Sequence, residues 1–227
     1  MLESAATPLL LTLKVAAVAT IIAGVAGIAI GFAQARLRFP GREMLDAALL
    51  LPMVMPPTVL GYYLLVLLGR KSAFGEFLQD VFGIQLVFTW QGAAIAASVV
   101  AFPLVYKGAR AAFEGIEPDL EKAGRTLGYS ELTVFARITF PLAWRGIAAG
   151  LMLAFARALG EFGATLMIAG NIPGRTQTLS IAIYEAAAAG DDALASGLVL
   201  IAAVVCIVLL VSASALLRRG HLRVQPI

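Results

Sequence analysis

The chain carries one cysteine, Cys206, and one histidine, His221, among its 227 residues. A disulfide framework or a metal site with cysteine ligands is therefore ruled out. An intramembrane enzyme is disfavoured too, because no membrane-embedded histidine, metal-ligand cluster or nucleophile with its base can be found. Cys206 is expected to serve packing, and His221, in a basic tail, to be solvated. Charge is also scarce: only 14% of the residues are Asp, Glu, Lys or Arg, with a net charge of +3. No G-x-x-x-x-G-K-[ST] run occurs, so the chain lacks a conventional phosphate loop for a nucleotide. The proline cluster at 52–57 has no second copy, which argues against a self-sufficient secondary carrier built from two related halves with matching broken helices.

What is abundant is apolar surface. Hydrophobic residues make up 60% of the chain and its mean hydropathy is +0.91, far from the roughly 45–50% of an ordinary soluble domain. Five stretches are long enough to cross a bilayer at about 20 residues each: 9–33, 45–68, 88–106, 146–169 and 193–217. The first is read as a transmembrane helix rather than a signal peptide, because Glu3 makes a poor basic flank and the apolar run is long. Lys14, near its outer end, can snorkel toward headgroups. Short cytoplasmic loops are enriched in Lys and Arg. Arg36, Arg38 and Arg42 follow the first span, Lys107, Arg110, Lys122, Arg125, Arg137 and Arg145 surround the third-to-fourth connection, and Arg218, Arg219 and Arg223 follow the fifth. The remaining connections hold only Arg70, Lys71 and Arg175. The expected protein is all-α and polytopic, with about five spans, its N-terminus outside and its C-terminus inside. Its modest positive charge reports membrane orientation rather than nucleic acid.

The third-to-fourth connection, 117–141, is EPDLEKAGRTLGYSELTVFARITFP. Pro118 suits a first helical position, Asp119 and Glu121 fall where the helix dipole favours anions, and Gly128 sits where a C-terminal cap belongs. Ser130 can cap a second helix through Glu131 to Arg137, with Leu132, Phe135 and Ile138 on one side, until Pro141 interrupts it. The spacing predicts two short helices with a tight corner.

Those residues resemble the E-A-A, three, G, nine, I, one, L-P signature of ABC-importer permease subunits. Here Lys122-Ala123-Gly124 takes the first three places, followed by Gly128, Ile138 and Phe140-Pro141, with Glu121 one place early. Lys122, Gly124 and Phe140 depart from the ideal motif; the glycine, isoleucine and proline spacing holds. The resemblance implies a coupling element that docks into a cleft of a separate ATP-hydrolysing subunit. Glu121, Lys122, Ala123, Gly124, Gly128, Ser130, Glu131, Phe135, Ile138 and Pro141 are its expected residues.

Two spans carry unusual chemistry. Pro52, Pro56 and Pro57 each remove a backbone donor, so the second span should kink or break, either shaping packing or lining a pathway. In the fourth, Arg157 and Glu161 can meet on one helical face. Charges at that depth need partners. They either neutralise each other against a neighbouring helix or exchange partners at a moving seam. Gly150, Gly160 and Gly163 allow close helix approach. The segment 179–189 is too short to span and should form a short helix at or in the outer surface.

PMVMPPTVLGYYLL in the second span and ARALGEFGATLMIAGNIPGRTQTLSIAIY from the fourth onward are similar to molybdate/tungstate importer permeases; sulfate permeases share the GEFG core. The resemblance implies the type I ABC importer permease fold: a single transmembrane domain, 1–227, with a cytoplasmic coupling loop at 107–145. It implies a homodimer in the inner (plasma) membrane whose interface forms the path, two copies of an ATP-binding subunit, and an external, periplasmic molybdate-binding protein. No cofactor, metal or nucleic acid is expected. The path is expected to involve Pro56, Pro57, Arg157, Glu161 and Thr165. The alternative substrate is sulfate or thiosulfate.

Overall fold

The computed structural model describes residues 2–219; His221 and Arg223 lie outside the described residues. Helix α1 (Leu2–Arg36) is followed by α2 (Arg42–Val54), α3 (Pro57–Leu68), α4 (Ala73–Phe82) and α5 (Trp90–Glu114). Two short helices, α6 (Pro118–Thr126) and α7 (Glu131–Val134), then lead through a π turn at Phe135–Thr139 into α8 (Phe140–Leu159). The chain finishes with α9 (Gly163–Ala169), α10 (Leu179–Ala188) and α11 (Asp192–Arg219). There is no strand among the described residues. Four helical stretches are long and apolar enough to cross a membrane: Ala5–Arg36, Trp90–Glu114, Glu131–Leu159 and Asp192–Ser212. A fifth candidate crossing is the pair α2 and α3, bent by 107° at their junction.

Between helices in lipid there is no hydrophobic drive, because hydrocarbon is as apolar as leucine, so close packing of small residues has to hold the bundle. The core has that composition: α1, α5 and α8 meet through Ala16, Ala19, Ala23, Ala97, Ala101 and Ala154. Gly108 on α5 and Gly150 on α8 bring two backbones together, and a Cβ on Gly108 would lie 3.1 Å from the Gly150 Cα. Cys206 is part-buried against this core, in keeping with a packing role. Lys14 is exposed, and its ammonium sits 3.6 Å from the centre of the Trp90 ring, where the face of the indole attracts a cation.

Several boundaries differ from the sequence expectation. Helix α5 runs on to Glu114 instead of ending near 106, because its last turns are tied down by charge. Asp46 of α2 accepts from the Tyr106 hydroxyl (2.6 Å), Lys107 (2.8 Å) and Arg110 (2.8 Å), and Glu114 pairs with Arg110 and Arg42. Basic residues thus gather with their acidic partners at one end of the bundle, the end that the lysine and arginine rule makes cytoplasmic. The second span does break, but only two of its three prolines lie at the break. Pro52 stays within α2, whereas Met55 and Pro56 adopt extended backbone and Pro57 opens α3 as its first residue. The fourth span, expected to be continuous over 146–169, is split: α8 ends at Leu159 and α9 restarts at Gly163. Gly160 approaches no neighbour, and a Cβ there would meet nothing within 4 Å. It ends a helix instead. Pro141 does not interrupt its helix either, since the π turn before it widens the spiral where the proline has no N–H to give, and the helical path continues from Glu131 to Leu159. Sequence reasoning left α4 without an element, although Ser72 caps it by accepting from the Gly75 N–H (2.8 Å) and Gly83 closes it at φ +66°.

Replacing Gly108 with leucine forces a side chain into the α5–α8 seam. A loss of about 1–3 kcal/mol is expected, read as a lower Tm of the detergent-purified protein. Gly160→Ala, which meets open space, should stay within about 0.5 kcal/mol of the parent.

Candidate functional site: a docking hairpin and a seam of broken helices

The hairpin α6–α7 is built by local chemistry. Pro118 occupies the first position of α6, and the helix closes in a Schellman motif: the Gly128 N–H bonds the Arg125 carbonyl (3.0 Å) and the Tyr129 N–H bonds the Gly124 carbonyl (3.2 Å). That turn requires a left-handed residue, and Gly128 has φ +82° with nothing within 4 Å of a would-be Cβ. Ser130 then caps α7, accepting from the Thr133 N–H. Arg125 crosses the corner with two hydrogen bonds to the Glu131 carboxylate, at 2.6 and 3.0 Å. The Arg125 hydrogen bond holds the Glu131 carboxyl below its ordinary pKa, and Lys122 does the same for Asp119.

The expected coupling residues separate into two groups. Glu121 is buried at 6% exposure. It accepts from the Arg36 guanidinium at the end of α1 and from the Thr139 hydroxyl (2.8 Å), and Arg36 also donates to the Phe113 carbonyl (3.3 Å). Gly124 is buried as well, where a Cβ would lie 2.7 Å from the Ile138 side chain. Phe135 stacks among Phe32, Phe113 and Phe140. These residues fasten the hairpin to the bundle. Lys122, Ala123, Gly128, Ser130, Glu131 and Pro141 are exposed instead, and Lys122 is paired only with Asp119 (2.8 Å). Leu132 does not share a packed side with Phe135 and Ile138; it is 77% exposed. Leu120, Leu127 and Tyr129 stand out from the hairpin with it, an apolar surface at the charged end of the bundle. Sequence reasoning missed Leu120, Leu127 and Tyr129 as surface residues, and took Arg36 only as an orientation marker.

The second locus is where the two broken helices meet. Gly163, opening α9, lies against Pro57, opening α3, so closely that a Cβ would come 2.8 Å from the proline Cβ. Arg157 and Glu161 do approach, with Nη2 to Oε2 at 2.8 Å. They do so across a helix end rather than along one helical face. The other Glu161 oxygen accepts from the Ala164 N–H (2.9 Å) and so caps the new helix α9. Thr165 follows, 1% exposed, its hydroxyl without a hydrogen-bond partner among the described residues. Pro56, Pro57, Arg157, Glu161 and Thr165 are therefore neighbours of one seam. Beyond α9, Thr12 of α1 accepts from the Leu179 N–H (2.8 Å), fixing the start of α10.

An alanine-lined helical bundle with broken helices inside it and a folded hairpin at its charged end defines a multi-pass membrane permease. Residues 10–225 match the family described as the binding-protein-dependent transport system inner membrane component, and the chain belongs to that family. It is 49% identical over 175 residues to the molybdenum transport system permease protein ModB of Escherichia coli (strain K12), covering 77% of this chain and 76% of that one. It is 36% identical over 213 residues to the sulfate transport system permease protein CysT of Salmonella typhimurium, covering 94% and 76%. Among solved structures, a chain of the inward-facing MetNI methionine ABC transporter superposes with a TM-score of 0.75 at 16% identity, covering 96% of this chain and 97% of that one. That likeness establishes the type I importer permease fold. The protein is a multi-pass component of the inner membrane and has the transport role of its family.

Removing one member of a buried ion pair strands the other, at a typical cost of about 3–5 kcal/mol. Arg36→Ala should lie at the lower end, because the Arg36 side chain is 27% exposed, and should appear as a fall in Tm. The double variant Arg36→Met/Glu121→Leu should recover most of that loss. The Arg125–Glu131 bridge stabilises the corner fully above the ordinary glutamate pKa and is lost as pH falls through the lowered value in the folded protein. Hydrogen-exchange protection of residues 127–131, corrected for intrinsic rate, should therefore drop over that acidic window and stay flat in Glu131→Gln.

Proposed function

We propose that this chain is the membrane-crossing subunit of an ATP-driven importer that carries molybdate, or the chemically equivalent tungstate, into the cytoplasm. Two copies form a homodimer with the path at their interface, a periplasmic molybdate-binding protein delivers the ion, and two copies of a separate ATP-binding subunit supply the force. The chain has no phosphate loop of its own, in keeping with ATP hydrolysis by another subunit. The observation that carries the reading is the hairpin: rigidly fastened through Glu121, Gly124, Phe135 and Ile138, yet turning Leu120, Leu127 and Leu132 into water. Large apolar side chains exposed at a water-facing end in this way support a protein interface. Closer similarity to a molybdenum permease than to a sulfate permease supports the choice of oxyanion.

Movement of the docked hairpin reaches the interior through the helices it is fastened to. At the seam, Pro56 and Pro57 allow α3 to swing against α2, while Glu161 and Arg157 hold the start of α9. An exchange of partners by that pair, as α3 and α9 separate, would open the path. The Thr165 hydroxyl and the freed backbone groups at the two breaks supply weak donors to a passing dianion. Weak donors are what passage requires, since a tight cationic trap would slow release.

Leu127→Asp/Leu132→Asp removes apolar docking surface without touching the fastening residues. Membrane insertion should be unchanged, while co-purification with the ATP-binding subunit and uptake into vesicles both fall at least about tenfold, a loss of some 1.4 kcal/mol or more. Normal coupled uptake in that variant would reject the docking role. For the substrate, excess molybdate and tungstate should each suppress labelled molybdate uptake with the cognate binding protein, and sulfate should not; equal competition by sulfate would favour the sulfate reading.

A further inference from the structure

The three basic residues that the orientation rule leaves on the outer side, Arg70, Lys71 and Arg175, come from connections about a hundred positions apart. All three line one cavity of about 890 Å³. Ser72, Gln85 and Thr89 add polar groups to the same wall, and no Asp or Glu contributes to it. None of the three cations takes part in an ion pair among the described residues; Arg70 donates only to the neutral Gln85 side chain. Elsewhere in the described chain basic residues are mostly matched with acids, as around Asp46, Glu114 and Glu121. Three unmatched cations around one concavity make a local positive potential that attracts an anion.

Its position is equally informative. The cavity adjoins the outward end of the α3–α9 contact: Leu68, which lines it, packs in one cluster with Leu60, Leu64 and Ile168. Phe88, which also lines it, donates its N–H to the Ile168 carbonyl (2.9 Å). An ion held there is at the outer doorstep of the seam formed by Pro57, Gly163 and Thr165.

We propose that this cavity is an entry site for a tetrahedral oxyanion, which Arg70, Lys71 and Arg175 hold on the outer side as it passes from the binding protein toward the seam. The identity of the oxyanion rests on the molybdate reading; the existence of the site does not. The site binds weakly, because its cations are exposed and screened by salt, and weak binding suits a station that must release its ion inward. The phosphate of an anionic lipid has the same chemistry and is the competing source, since α4 beside the cavity exposes Phe74, Phe77 and Phe82.

The test uses the permease with its ATP-binding subunit in phosphatidylcholine nanodiscs, without the binding protein, and measures tungstate and molybdate binding calorimetrically at several salt concentrations. The parent complex should bind both oxyanions, more weakly as salt rises, and Arg70→Gln/Lys71→Gln/Arg175→Gln should lose at least about tenfold in affinity, as expected when three charge contacts vanish. Arg70→Lys/Arg175→Lys, which keeps the charges, should stay within about threefold of the parent. In sealed vesicles supplied with the binding protein, the triple variant should also raise the KM of uptake while leaving basal ATP hydrolysis unchanged. Equal oxyanion affinity in parent and triple variant overturns the proposal. So does finding that phosphatidylglycerol added to the nanodiscs is retained by the parent alone in native mass spectrometry and abolishes oxyanion binding. If the parent fails to import molybdate but still binds tetrahedral oxyanions in this charge-dependent way, the molybdate reading falls and the entry site stands.

Discussion

The mechanical logic of the chain depends on one buried carboxylate. Glu121 sits under the docking hairpin with only 6% of its surface exposed and takes hydrogen bonds from Arg36 and Thr139. Burying a carboxylate is costly unless a charge and directed donors satisfy it, and when they do, the geometry that satisfies it is sharply defined. The three elements that meet at this carboxylate are the end of α1, the start of α6 and the turn that leads into α8. Arg36 adds a fourth through the Phe113 carbonyl of α5. A hairpin held this way is fixed to the bundle at several points. Nearby, Glu114 and Asp46 tie the end of α5 to the start of α2 through Arg42, Arg110 and Lys107. The polar contacts therefore run from the hairpin to the half-helix that ends at the Pro56 break.

Irregular backbone is tolerated in a membrane only where protein or water satisfies the polar groups it frees. The two breaks in this chain satisfy that condition by facing each other. The proline that opens α3 rests on the glycine that opens α9, and Glu161 supplies the cap that the new helix needs. Outward of that contact, Gly61 lies against Met167 and Ala164, and Leu60, Leu64 and Ile168 pack in one cluster, so the two half-helices are held by side-chain packing as well as by the cap.

Much of this was legible in the sequence because it rests on local rules. The Gly128 corner and the Ser130 cap follow from capping chemistry and the four to five candidate crossings from span length, and each appears in the structure. The departures have physical reasons of their own. Pro141 failed to end its helix because a π turn absorbs the missing donor. The continuous fourth span failed because Glu161 can cap a helix as well as pair with Arg157, and sequence spacing does not distinguish the two geometries. Glu121 and Lys122 look interchangeable in the motif, yet one is buried and the other faces water, a distinction decided by Arg36 some eighty-five positions away. Long-range partners of that kind leave no trace in local periodicity. The gathering of Arg70, Lys71 and Arg175 on one cavity is another case.

The apolar face of the hairpin differs from the apolar faces of the long spans. Leucines on α3 or α11 face lipid, where exposure carries no penalty, but Leu127 and Leu132, at 75% and 77% exposure, stand at the end of the bundle that lies in water. Covering each such side chain contributes about 1.5–3 kcal/mol, so the three leucines together offer roughly 5–9 kcal/mol. Association itself costs an estimated 4–15 kcal/mol, which a patch of this size alone barely offsets. The charged rim of Asp119, Lys122, Arg125 and Glu131 therefore has to supply orientation, and tight assembly requires a second contact elsewhere. A second copy of the same hairpin in a homodimer would provide it, because two modest contacts held at a fixed separation bind far more tightly than either alone. Docking strength and the proposed homodimer then rest on the same small apolar surface.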